Sequence, residues 1–243
     1  TLDRPEKYHS FVKEMALDLQ IKLDECKNDE NIRCILITGS GKAFCAGQDL
    51  SEAIDENGPG LKKIVEKHYN PIIRKIRNIE KPIIAAVNGV AAGAGASIAI
   101  CCDIVVAKKS AVFVQAFSKI GLIPDSAATF FLPRLVGLQK ATGLMMTADP
   151  ISADDAYKIG MIYKVYEDND FESEALKLAE KLSQMPTIGL GLTKKLLNIS
   201  LTSDLDSQLN EELNAQIIAG NTNDYNEGVS AILEKRKPNF KGN

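Results

Sequence analysis

Three short runs of the chain are apolar without alternation: Arg33–Thr38 (RCILIT), Pro82–Val87 (PIIAAV) and Asp103–Ala107 (DIVVA). Each is rich in β-branched residues, and the first two end in turn residues, Gly39-Ser40-Gly41 and Asn88-Gly89. They read as strands. Strands that lack an alternating polar face are covered on both sides, which predicts parallel sheet in an α/β fold. Helical spacing fills the intervals. Leu61, Ile64, Val65, His68, Ile72, Ile76 and Ile79 form a stripe that Pro71 should kink. Ser152 and Asp155 have the spacing of a capping box, with Asp in place of Glu or Gln, opening a helix that ends at Gly160. Beyond Phe171 the pattern is helical: 175–185, 189–199, 205–219 and 225–237. The change of character near Pro186 divides a mixed α/β part, 1–185, from a helical part, 186–243.

Composition narrows the function classes only moderately. The 243 residues are 45% apolar and 25% charged, as in ordinary globular proteins. A net charge of -3 gives no electrostatic reason to expect nucleic acid or an anionic membrane as partner. No apolar run approaches the roughly 18 residues of a membrane span, and no charged-then-apolar leader opens the sequence. Five cysteines, an odd number without C-x-x-C spacing, read as buried reduced thiols and point to the cytoplasm. With two histidines and no H-E-x-x-H pattern, no metal is expected.

Three segments are candidates for chemistry. Ala43–Leu50 (AFCAGQDL) and Asn88–Ser97 (NGVAAGAGAS) each follow a strand, and the second runs into an apolar helix. Small residues there admit a ligand to the backbone, and a helix start offers free N–H donors. Tight helix–strand packing would use the same residues. In the third segment, Lys119–Thr129, Asp125 follows an apolar stretch and Pro124, where it could be a helix N-cap or an acid–base group.

Together these segments resemble the crotonase (enoyl-CoA hydratase/isomerase) superfamily. The resemblance covers essentially the whole chain. It is carried by Asp3-Arg4-Pro5, AFCAGQDL, PIIAAVNGVAAGAG, Cys102-Asp103-Ile104, GLIPD, PRLVG at Pro133–Gly137 and the EKRKPNFK ending. It implies a spiral of ββα units with a C-terminal helical region that packs between subunits of a homotrimer or homohexamer. It further implies an acyl-CoA substrate, with coenzyme A arriving as part of that substrate and no separate cofactor.

The backbone N–H groups that match the family's oxyanion hole are those of Gln48 and Ala94; the Gln48 side chain is expected to be incidental. Coenzyme A contacts carry over to Lys7, Tyr8, Ala46, Gln48, Asp49, Leu50 and Ala94, and to Phe240 and Lys241 of a neighbouring subunit. Asp49 and Asp103 are expected to brace loops. The two glutamates of the family's hydratases would fall at Ser97 and Phe117, neither of which is an acid. Asp125 matches the single acid of the isomerase branches and looks closest to isomerases of ring-epoxidised phenylacetyl-CoA. Δ3,Δ2-enoyl-CoA isomerases share the placement. The expected activity is an acyl-CoA isomerisation in which Asp125 moves a proton beside a bound thioester enolate. Hydration or thioester hydrolysis, and a non-catalytic binding protein, are the alternatives.

Overall fold

The computed structural model describes residues 1–243. Eight strands form two four-stranded sheets. One has the order β1 (Ile35–Ile37), β3 (Ile83–Val87), β5 (Ile104–Lys108), β8 (Lys164–Tyr166), all parallel. The other has the order β2 (Ala43–Cys45), β4 (Val90–Ala92), β6 (Val112–Val114), β7 (Ile151–Ser152), parallel except for the last pair. Each turn of the chain lays one strand in the first sheet and one in the second, then crosses back through helix. This is the expected ββα spiral. The three strands expected from apolar runs are β1, β3 and β5, three consecutive strands of the first sheet, with β1 at its edge. β3 is buried at every residue, as its lack of alternation requires.

The stripe from Leu61 to Ile79 is one continuous helical stretch with three parts: Gly60–Lys63, a π-helical segment Ile64–Tyr69, and Asn70–Asn78. Pro71 explains the break. Its ring excludes the carbonyl one turn earlier from helical bonding. The Lys67 and His68 carbonyls instead accept from Gln20 Nε2 at 2.8 and 3.1 Å. The wider π turn adds a residue to the inward face, so His68 and Tyr69 are both buried.

From Phe171 onward the fold is helical, over Phe171–Ser183, Thr187–Ser200, Leu205–Gly220 and Asn223–Leu233. A buried polar cluster fastens Thr187–Ser200 to the core. Asp103 accepts from the Ile83 N–H at 2.8 Å and pairs with Arg77 at 3.0 Å and Lys194 at 2.8 Å. Asp103 therefore braces structure, as expected. The tail is pinned to the last helix. Asp224 accepts from the N–H groups of Lys241 and Gly242, and Arg33 Nη1 donates to the Phe240 carbonyl. All five cysteines are free thiols, and burial pushes Cys45 and Cys101 up to about 12.

Candidate active site

Two glycines with left-handed backbone each precede one of the expected donors: Gly47 (φ 94°) before Gln48, and Gly93 (φ 52°, ψ −128°) before Ala94. Such conformations are open to glycine at little cost. They turn each following peptide out of its strand's ladder, and neither the Gln48 nor the Ala94 N–H donates to an acceptor within the chain. Ala94 opens the helix Ala94–Cys101, so its N–H has no partner inside the helix and carries the positive end of the dipole. The loops that follow β2 and β4 are pressed together. A Cβ on Gly47 would lie 3.3 Å from Ala94 N, and one on Gly95 would lie 2.3 Å from the Cys45 carbonyl oxygen. The two loops that carry these donors are thus held side by side.

The Gln48 side chain is not incidental to the structure. Its Oε1 accepts from the Tyr69 hydroxyl at 2.9 Å, and its Nε2 donates to Glu52 at 2.8 Å. The other Glu52 oxygen accepts from the Lys13 N–H at 2.8 Å. Tyr69 is fully buried and packs edge-on against Phe11, with ring centroids 5.7 Å apart. Burial holds its hydroxyl well above its ordinary pKa, with further contributions from Cys45, Asp125 and Glu52.

Asp125 does not cap a helix. The helix Ala128–Val136 begins after Ala127, which has left-handed backbone (φ 61°), and no side chain caps it. The carboxylate accepts only from Ser126 Oγ at 2.9 Å. Burial raises its pKa, opposed by that hydrogen bond. Ile120, Leu122 and Ile123, the apolar residues before it, are all exposed on the isolated chain and form an open rim rather than a closed wall. The positions of the hydratase glutamates offer no acid–base group. Ser97 is buried with its hydroxyl donated to the Gly93 carbonyl at 3.1 Å, and Phe117 is buried in a short 3-10 turn.

Of the expected coenzyme A contacts, one group is assembled. Tyr8 and Ala46 meet through a 2.9 Å bond from the Ala46 N–H to the Tyr8 carbonyl, with exposed Lys7 alongside and exposed Leu50 beyond Gln48. The Asp49 carboxylate is occupied by Arg4 at 2.7 Å and the Ser51 N–H at 2.9 Å, and these contacts lower its pKa, Arg4 most. Phe240 and Lys241 are fastened beside Arg33 and Asp224, apart from this group. Nothing in the sequence singles out Tyr69 or Glu52. Tyr69 lies outside the 3.6-residue stripe because the π turn shifts the register, and Glu52 looks like any acid in a first helical turn.

Comparison with known proteins shows the family. The family model described as "Enoyl-CoA hydratase/isomerase" matches residues 1–243. The chain is 48% identical over its whole length to the 1,2-epoxyphenylacetyl-CoA isomerase of Escherichia coli (strain K12), covering 94% of that protein. It is 34% identical to a crotonyl-CoA hydratase of Syntrophomonas wolfei, over 98% of this chain and 92% of the other. A crystal structure from Mycobacterium abscessus, described as an enoyl-CoA hydratase/isomerase, superposes with a TM-score of 0.94 at 34% identity, over 100% of this chain and 94% of that one.

Proposed function

The chain belongs to the enoyl-CoA hydratase/isomerase family, and on that premise we propose that it is an acyl-CoA isomerase with Asp125 as its proton carrier. The observation that carries the reading is the distribution of acids. A half-buried carboxylate stands at Asp125, whereas Ser97 and Phe117, where the hydratases have their glutamates, leave no group to hold and activate water. A lone acid that takes a proton from one carbon and returns it to another performs isomerisation.

In this reading the thioester oxygen sits between the Gln48 and Ala94 N–H groups. Asp125 removes an α-proton from a 3-enoyl thioester, and the electron pair moves into the thioester to give a dienolate. The two donors bind that oxygen more strongly as its charge develops. Protonated Asp125 then delivers the proton to the γ-carbon, leaving the 2-enoyl product and a regenerated carboxylate. With a ring-epoxidised phenylacetyl thioester, the epoxide opens to the seven-membered oxepin by breaking its carbon–carbon bond, the same α-proton removal gives a conjugated dienolate, and protonated Asp125 returns the proton to a ring carbon at the far end of that dienolate, so the product is an isomer. The 48% identity with the Escherichia coli isomerase favours this aromatic substrate.

Lys7, Tyr8, Ala46, Asp49 and Leu50 are proposed to line the coenzyme A path, through backbone groups where the side chains are already engaged. Phe240 and Lys241 would reach a neighbouring subunit's site in a trimer or hexamer packed through residues 186–243. The test is Asp125→Asn against a panel of 3-enoyl and ring-epoxidised phenylacetyl thioesters. Loss of turnover by about three orders of magnitude, with acyl-CoA binding retained, is expected. Near-full activity in the variant, or rapid hydration of crotonyl-CoA by the wild type, would overturn the proposal.

A further inference from the structure

The amide of Gln48 is gripped at both ends, although its backbone N–H alone is needed in the oxyanion hole. The polarity of the grip is fixed by chemistry. Glu52 as a carboxylate only accepts, so Nε2 must face it, and Oε1 must then face the Tyr69 hydroxyl. Donors run in one direction, from Tyr69 to Gln48 to Glu52, and the Lys13 N–H closes the far end. The chain joins three separate elements: the π turn that carries Tyr69, the short helix Leu50–Ala53 that carries Glu52, and the first turn of the helix Lys13–Asn28. It meets the Gly47-Gln48 loop at the residue that follows a left-handed glycine. That is where the peptide plane most needs an external restraint.

We propose that Tyr69 and Glu52 are positioning residues for the oxyanion hole, acting through the Gln48 side chain to hold the Gln48 N–H on the thioester oxygen. The proposal rests on the oxyanion reading of Gln48 and Ala94 given above. Tyr69→Phe is the informative substitution, because it keeps the ring packed on Phe11 and removes only the hydroxyl.

The experiment measures two quantities on purified full-length protein. The first is steady-state isomerase turnover. The second is the red shift in absorbance of a cinnamoyl-CoA probe on binding, which reports polarisation of its carbonyl and needs no turnover. Tyr69→Phe should lower kcat about tenfold with KM changed less than twofold, a fraction of the 10²–10³ expected for outright loss of a donor. Glu52→Gln should do the same. Gln48→Ala should be at least as impaired, and the Tyr69→Phe/Gln48→Ala double variant no worse than Gln48→Ala alone, because one path carries the effect. The probe's red shift should diminish in each variant.

A wild-type red shift that persists undiminished in Tyr69→Phe and Glu52→Gln would overturn the positioning role while leaving the oxyanion hole intact. So would fully additive losses in the double variant. A bound probe with no red shift in the wild type would remove the oxyanion reading and this inference with it. Unchanged thermal midpoints identify losses that come from the site rather than from unfolding.

Discussion

At the scale of single residues, Asp125 combines two opposed demands. Burial favours its neutral form, yet the role proposed for it as base requires the charge. Its pKa lies above the ordinary 3.8, so log kcat/KM should fall with unit slope as pH drops through that raised value. The limb should lie above that of an exposed aspartate in a pH–rate profile. Stability has the opposite sign. A carboxyl whose folded pKa is raised contributes stability below its unfolded value, and that contribution is lost as pH rises through the folded one. At neutral pH Asp125 therefore costs stability. Asp125→Asn should melt about 1–3 °C higher than wild type at pH 7, with the gain disappearing below pH 4 when followed by calorimetry. Asp125 stands out in the sequence only through the resemblance that its Gly-Leu-Ile-Pro-Asp run carries, since its position alone reads equally as a helix cap. The Gln48 side chain was not, since its partners lie four and twenty-one residues away and on different elements.

At the scale of elements, the loops that carry the proposed oxyanion donors depend on two glycines for different reasons. Gly95 has no room: an added Cβ would meet Cys45 at 2.3 Å from its carbonyl oxygen and 2.8 Å from its Sγ. Gly93 has open space around it but a left-handed φ. Gly95→Ala should therefore destabilise the fold by about 3 kcal/mol through overpacking. Gly93→Ala should cost about 1–2 kcal/mol of backbone strain, both read from denaturant titration. Equal losses would refute the distinction. Ala127, left-handed without being glycine, already carries strain of the second kind beside Asp125. Strands β1, β3 and β5 could be read in advance because they are apolar, β-branched and buried on both faces. Strands β2, β4 and β6–β8 have three residues or fewer and, unlike the equally short β1, do not sit within a longer β-branched run such as Arg33–Thr38. β4 in particular lies hidden inside a Gly/Ala run that looks like loop. The Ser152 cap was legible because its hydroxyl bonds the Asp155 N–H three residues on, a wholly local signal.

At the scale of the molecule, the helix Leu205–Gly220 leaves an apolar stripe uncovered. Leu205, Leu209, Leu213, Ile217 and Ile218 are each more than half exposed, so the chain's own core does not use them. The sequence showed the stripe but not which side it faced, because subunit packing and core packing leave the same period. If the stripe is covered by further copies, Leu209→Glu/Leu213→Glu should elute near the 26.4 kDa of one chain, with helical circular dichroism retained. Light scattering of the wild type should give three or six times that mass, and a monomeric wild type would end the proposal. One consequence of the sheet topology reaches further. β2 and β4 are parallel neighbours, and such strands lie about 4.8 Å apart. Two nitrogens each about 2.9 Å from a shared oxygen, approaching it at roughly 110°, are separated by about the same distance. The spacing of these two strands thus matches the separation that the proposed pair of donors, carried in the loops just beyond them, would need. On the proposed reading, the donors come from the backbone and the acid from a side chain on another element, so replacing the acid would change the proton chemistry without altering the grip on the thioester oxygen.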